Sequence, residues 1–438
     1  MRTLINTLLV LIAVSPAAWC IPRTVSIVPK TPLPTAYGQN IVRSSDYLSQ
    51  VGQEQAAQEP VDLAQIKAYV EQIGGQESRG GAYESDMVQT LQALGVAYKS
   101  RGDYPAAIDA FKRAMHLTRI NKGLFAPEQI PLLRGIIDSR LSAGMFKLAD
   151  EGQEYLYRVQ RYNSNGEMSP ALLEASREYS QWQRSVYLSG IGGDSYRRLL
   201  EMHEIHSQDI ERIEAKNKND PALIPHIYRL LNTEYLLSKY EGEKRPKFEL
   251  NVRQHNNLAF PASIEETQFK DLRRRIYQRG RKLLSRIAAL RAGQSANADV
   301  ELAKVKVQLG DWHQWFDLSA RARESYEEAY AMLAENPQAA PELQKLFGEP
   351  VELPAALIFR PDPKLVPATL PGHALVSYKV SKSGRAKAIK VIELDPAAHK
   401  GARFSLLRKL RDMRFRPRLE AGSAVATNAV EREYYFDY

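Results

Sequence analysis

The chain has 438 residues, 44% hydrophobic and 25% charged, which is apolar material for about three domains and too balanced a charge for a disordered polymer. Its net charge of +9, from 60 Lys and Arg against 51 Asp and Glu, is small for this length and implies no nucleic-acid partner. The single cysteine, Cys20, excludes an internal disulfide, an iron–sulfur cluster and a Cys-based zinc site.

Residues 1–20 begin with Arg2, continue through the apolar run Leu8 to Val14 and end in Ser15-Pro16-Ala17-Ala18-Trp19-Cys20. This is the pattern of a cleavable secretory signal peptide, and it predicts export to the periplasm. Acylation at Cys20 is the competing reading, disfavoured by the bulky Trp19 before it. Beyond this start, no stretch approaches the roughly 20 apolar residues that cross a bilayer. Residues 21–83 are rich in Pro, Gln, Ser and Thr without a sustained period, and the sequence predicts a linker there.

From 84 to 345 the period becomes helical. Its most regular part runs Leu91, Leu94, Gly95, Tyr98, then Gly102-Asp103-Tyr104, then Ala107, Phe111 and Ala114. Leu91, Leu94 and Tyr98 share one helical face. Gly102 suits a left-handed cap and Asp103 an N-cap, while small Gly95 and Ala107 let two helices approach. These residues predict a helical hairpin. They also resemble a tetratricopeptide repeat (TPR) at its Leu-Gly-x-x-Tyr, Gly-x-Tyr, Ala, aromatic and Ala positions, which makes Leu94, Gly95, Tyr98, Gly102, Tyr104, Ala107, Phe111 and Ala114 the expected fold determinants. A degraded second copy follows at Gly144-Met145-Phe146 and Ala149, with Arg140 in place of the tyrosine, Gln153 in place of the phenylalanine, and Pro127 ahead of it as in kinesin light chains. A third candidate starts at Pro170. Downstream, Gly310-Asp311-Trp312 reads as the turn of another repeat and Ala322, Tyr326 and Ala329 as its back half, with about seven residues inserted between them. A stack of such hairpins implies a surface that holds a peptide or another protein, and no catalysis.

The prolines of 346–365 predict a connector. In 366–438, Val376, Tyr378 and Val380 alternate with polar residues, Lys382 to Arg385 suits a turn, and Ile389 and Val391 alternate again, which predicts a β-hairpin. Phe404, Leu407, Leu410 and Met413 at helical spacing predict an amphipathic helix. A closing strand is expected over about Ala426 to Phe436. The fold class is therefore mainly α, a TPR-like helical-hairpin solenoid followed by a small ββαβ domain.

That order, with Gly384 in the first turn, Phe415 and Pro417 after the helix and Gly422 before the last strand, resembles the C-terminal domain of the TonB energy-transducer family. Phe415 is expected to plug the gap between helix and sheet, and Pro417 to end the helix. The resemblance implies an open strand edge that recruits an extended segment through main-chain hydrogen bonds, here Ala426, Asn428, Val430, Arg432, Tyr434 and Phe436. It also implies partners among envelope proteins or extended peptides, including an outer-membrane receptor or peptidoglycan, with a dimer through this domain as one arrangement. A genuine transducer, with 1–20 retained as an anchor, is the alternative to a periplasmic adaptor. The segment carries 14 Lys or Arg against 7 Asp or Glu, and Arg403, Arg408, Lys409, Arg411, Arg414, Arg416 and Arg418 form a candidate basic patch.

An enzyme finds little support. His203-Glu204-Ile205-His206 has its histidines three apart rather than the four of a zinc-protease helix. Gly190-Ile191-Gly192-Gly193 lacks the strand and lysine of a phosphate loop. The sequence predicts no cofactor, no metal and no small-molecule substrate. An envelope hydrolase using carboxylates in 190–300 is the remaining rival.

Overall fold

The computed structural model describes residues 41–43, 63–164, 169–190, 195–240, 264–292, 298–354, 358–359, 372–397 and 400–436. The expected signal peptide, with Cys20, lies outside them. The helices are α1 (Leu63–Gly80), α2 (Met87–Ser100), α3 (Tyr104–Lys122), α4 (Gln129–Ser142), α5 (Phe146–Asn163), α6 (Pro170–Ser189), α7 (Ser195–Lys216), α8 (Leu223–Lys239), α9 (Ile264–Ala292), α10 (Ala298–Trp315), α11 (Ser319–Ala334) and α12 (Ala340–Phe347). Each of α1 to α11 packs against the next.

The α2/α3 hairpin follows from its residues. Gly102 takes φ +78°, the Asp103 amide reaches back to the Tyr98 carbonyl at 3.0 Å, and the Asp103 side chain accepts from the Ala106 amide at 3.2 Å. Leu94, Ala107, Phe111 and Ala114 are buried together, with Tyr98 packed at the margin of the cluster and Tyr104 half-buried. Phe111 lies where a Cβ on Gly95 or on Gly135 would be 2.7 Å from its ring, so two glycines from successive hairpins make room for one aromatic. In α4/α5 the sizes are exchanged: Gly152 sits on the second helix and a Cβ there would meet Ile137 at 2.8 Å, which is how the hairpin closes without a phenylalanine.

The downstream repeat is in a different register from the one expected. Gly310-Asp311-Trp312 lies inside α10, and Gly310 plays the part of Gly95, with Tyr326 against it (2.4 Å from a Cβ). The turn is at Asp317, which adopts φ 61°, and the Leu318 amide donates to the His313 carbonyl at 3.0 Å, as Asp103 does to Tyr98. Counted this way, no residues are inserted. The expected linker 21–83 is also corrected, because α1 carries Ile66 and Ile73 into the core of the first hairpin, and that apolar burial holds it there.

The C-terminal unit comprises β2 (Val351–Leu353), β3 (Gly372–Val380), β4 (Ala386–Asp395), α13 (Lys400–Asp412), β5 (Arg414–Arg416), β6 (Arg418–Glu420), β7 (Ser423–Val425) and β8 (Val430–Phe436). With β1 (Ile41–Arg43) it forms an antiparallel sheet in the order β1-β8-β3-β4, beside the pairs β2/β5 and β6/β7. Alternate residues of β3, Ala374 to Val380, are buried against Ala402, Leu406 and Leu410 of α13, and Phe415 is buried among them. Phe404, expected on that face, is 72% exposed. The buried stripe of α13 instead runs through Ala402, Leu406 and Leu410 to Met413 just past its end. Pro417 does not end α13, which stops at Asp412; it lies between β5 and β6. Gly384 takes φ +67°, and a Cβ there would lie 2.0 Å from the Phe415 carbonyl oxygen, so only glycine fits this turn. Gly422 takes φ +81° in the β6/β7 turn. The connector expected over 346–365 is not a free linker: β2 pairs with β5, and Leu353, Ile358 and Phe359 are buried in the helical core.

Candidate functional site

Two surfaces are placed by this architecture. The first is a groove along α4, α6 and α8. Its larger cavity, about 360 Å³, is lined by Arg177, Ser180, Gln181 and Arg184 of α6, Met202 and His206 of α7, Arg229, Asn232, Thr233 and Leu236 of α8, and Ile358. A second cavity of about 280 Å³ lies between α4, α5 and α6 and shares Gln181 with the first. At the rim, Arg184 Nε donates to the Ile358 carbonyl at 3.0 Å, and Phe359 stacks on Trp315 with centroids 5.7 Å apart.

The α7 wall of the groove carries the histidines that the sequence placed three apart. His203 Nε2 lies 3.2 Å from the buried Glu234, which Arg279 holds through two hydrogen bonds of 2.5 and 2.8 Å. His206 is buried, its Nδ1 has no hydrogen-bond partner among the described residues, and burial followed by the Arg229 charge holds its pKa down at about 3. One turn on, Asp209 is pushed up to about 6 by burial, opposed by the Ser176 hydroxyl, which donates to its Oδ1 at 3.3 Å. His226, held down at about 4 by burial, stands 3.9 Å from Asp209 Oδ2. These residues do not form a metal set, and no group of His, Cys, Asp or Glu that could hold a metal ion occurs among the described residues. Sequence reasoning missed the cavity because Arg177, Arg229 and His206 come together from three helices; their local spacing is that of ordinary amphipathic helices.

The second surface is β8. It was expected to be an open edge over about Ala426 to Phe436; Val430, Arg432, Tyr434 and Phe436 are on the strand, and its end has a strand on both sides. β3 pairs along one side from Val430 to Phe436, and β1 covers the other side at Tyr434, Tyr435 and Phe436. Ala426 and Asn428 precede the strand, where the Thr427 amide donates to the Val380 carbonyl at 2.9 Å. Tyr434 and Phe436 are buried in the sheet core, and the Tyr434 hydroxyl donates to Glu352 at 2.7 Å. Arg432 pairs with Glu349 at 3.0 Å. The outer side of Val430 to Glu433 carries no strand among the described residues.

The basic patch is likewise divided. Arg416 is buried and grips Asp311 through two hydrogen bonds of 2.9 and 2.7 Å, while Tyr326 donates to the same carboxylate at 2.9 Å. Burial works against the Arg416 charge, and Asp311 overrides it and holds the guanidinium above its ordinary value. Arg414 binds Asp317 at 2.7 and 3.1 Å, and Arg418 pairs with Glu420 at 2.7 Å. Arg416 and Arg414 dock the C-terminal unit onto α10 and its turn, and the Arg418 pair lies at the surface of β6. Arg403, Arg408 and Arg411 remain exposed on α13, with Lys409 half-buried between them.

The fold defines a TPR-like helical-repeat protein joined to a small antiparallel α+β unit. No protein-family model matches this chain, and no curated protein does. Among solved structures, it is similar to a Podosopora anserina kinesin light chain of nearly identical TPR-like repeats, at 14% identity and a TM-score of 0.31, over 52% of this chain and 88% of that one. It is also similar to BtubC (BKLC) from P. vanneervenii, at 11% identity and a TM-score of 0.30, over 66% and 93%. At such scores the assignment rests on the hairpin geometry given above.

Proposed function

We propose that this chain is a non-enzymatic adaptor of a Gram-negative periplasm, holding an extended segment of an envelope protein in its helical groove and a second one at the C-terminal sheet, whose motif order resembles TonB. The observation that carries the reading is Ile358–Phe359. A non-helical segment of the chain is packed into the margin of the helical core with its main-chain carbonyl held by Arg184 and its aromatic ring on Trp315, the kind of contact that the same groove offers to a partner segment. The uncovered outer side of Val430 to Glu433 supports strand addition, with β1 as the segment a longer partner strand would extend past or displace.

The test is site-directed photocrosslinking of the full chain in cells, with a photoreactive residue at Asn232 in the groove, at Glu431 on β8, or at Glu327 on α11 as control. Crosslinks from the first two positions to defined envelope proteins are expected. Equal crosslinking from all three positions, or none from the first two, would reject the adaptor. The mature N-terminus, sequenced from separated periplasm and membranes, distinguishes it from a transducer, which would retain Met1 in the inner membrane.

A further inference from the structure

The cavity between α6, α7 and α8 is unlike an ordinary solvated cleft. Three guanidinium groups, Arg177, Arg184 and Arg229, and the ring of His206 face it, and no Asp or Glu lines it. Two of the cations have partners within the fold: Arg177 is paired with Glu174 and Arg184 with the Ile358 carbonyl. Arg229 is set differently. Its guanidinium is half-buried and meets the neutral ring of His226, 3.4 Å from Nδ1. Burial, followed by the Arg177 charge, works against its positive form, and the Asp209 and Glu174 carboxylates outside the cavity offset part of this. The residues lining the cavity offer Arg229 no anion, and desolvating a cation is costly. An oxyanion in the cavity relieves this cost by taking the Arg229 fork, with the His206 ring beside it as part of the wall.

We propose that this cavity binds a carboxylate carried by an extended polypeptide segment of a partner protein, which rests on the adaptor reading and names what its groove selects. The apolar wall of Met202, Leu236 and Ile358 beside the cations suits the methylene stem behind a carboxylate, and the rim already bonds a main-chain carbonyl through Arg184. The carboxylate comes from an Asp or Glu side chain or from a chain terminus.

The experiment is calorimetric titration of the full chain with four probes: an amidated octapeptide alternating aspartate and alanine, its asparagine analogue, an alanine octapeptide with a free C-terminus, and inorganic phosphate. The first is expected to bind at least about tenfold more tightly than the asparagine analogue, with affinity falling as salt rises. Arg229→Gln and Asn232→Asp are each expected to weaken it by about tenfold, and saturation is expected to raise the pH at which the His206 ring titrates by NMR. Binding of the alanine peptide instead assigns the carboxylate to a chain terminus. Equal binding of aspartate and asparagine peptides overturns the carboxylate site while leaving a peptide groove intact. Binding of phosphate alone also overturns it, and failure of all four probes together with loss of the Asn232 crosslink overturns site and adaptor alike. Should Arg229→Gln fail to fold, Asn232→Asp at its half-buried position carries the test.

Discussion

Phe111 shows how little space separates a repeat that closes from one that does not. It is 1% exposed, and a Cβ on Gly95 or Gly135 would press on its ring at 2.7 Å. Gly95→Ala is therefore expected to cost about 1–3 kcal/mol by overpacking, read as a lower midpoint in chemical denaturation, with Phe111→Leu in the same chain recovering part of it. Gly95 and Phe111 were legible in the sequence because packing within one hairpin is local and sets them at a fixed spacing, whereas Gly135 comes from the next hairpin and was not singled out. Gly310 was misread for the same reason, since glycine serves both a turn and a helix crossing and only the position of Tyr326 tells which. Asp311 is a further residue whose role has no local signal, as its partner Arg416 is far along the chain. Asp311→Ala leaves that arginine buried and uncompensated and is expected to cost about 3–5 kcal/mol. Asp311→Ala with Arg416→Met is expected to recover most of this, and a double variant no better than the single would refute the coupling.

Helix α7 and the helices beside it predict how stability responds to acid. His206, held at about 3, and His226 and His313, both at about 4, are all below the ordinary 6.5. As pH falls, the unfolded chain takes up these protons first, so their contribution is complete above pH 6.5 and is lost between there and the folded values. Asp209, pushed up to about 6, acts oppositely: the fold takes its proton first, and stability is gained as pH drops from about 6 toward the ordinary carboxylate range. Glu201, raised by burial, acts as Asp209 does, and three histidines against these two carboxyls make net destabilisation the expected result from pH 6.5 to 4. His206→Gln should flatten the denaturation midpoint against pH, and an unchanged slope would refute the assignment of His206. Helix α13 shows what an element's own pattern leaves open. Its apolar period predicted a helix, but the face it buries is set by the sheet, which accepts Ala402 and leaves Phe404 in solvent.

Across the whole molecule, distant segments are joined. The connector enters the helical core through Ile358 and Phe359, Gln314 donates to the Ser383 carbonyl at 2.7 Å, and β1 reaches the far end of the chain at β8. Deletion of residues 21–62 is expected to leave the helical circular dichroism and the main unfolding transition nearly unchanged. It should speed amide exchange in Tyr434 to Phe436, where β1 supplies pairing. Unaltered protection there would mean that β1 contributes nothing to the edge.

The amino-acid order by itself determined the helical hairpin at 87–122, the change near 350 from helices to strands, and the β3/β4 turn at Gly384. Each depends on interactions between residues close in the chain, whose geometry follows from periodicity and backbone conformation. Tertiary structure alone decided that α1 belongs to the core, that β8 has a strand on both sides at its end, that Arg414 and Arg416 dock one unit on the other, and that His206 and Arg229 share a cavity. Those outcomes depend on which surfaces exclude water together and which buried charges find partners, and neither is written in the spacing of a single segment.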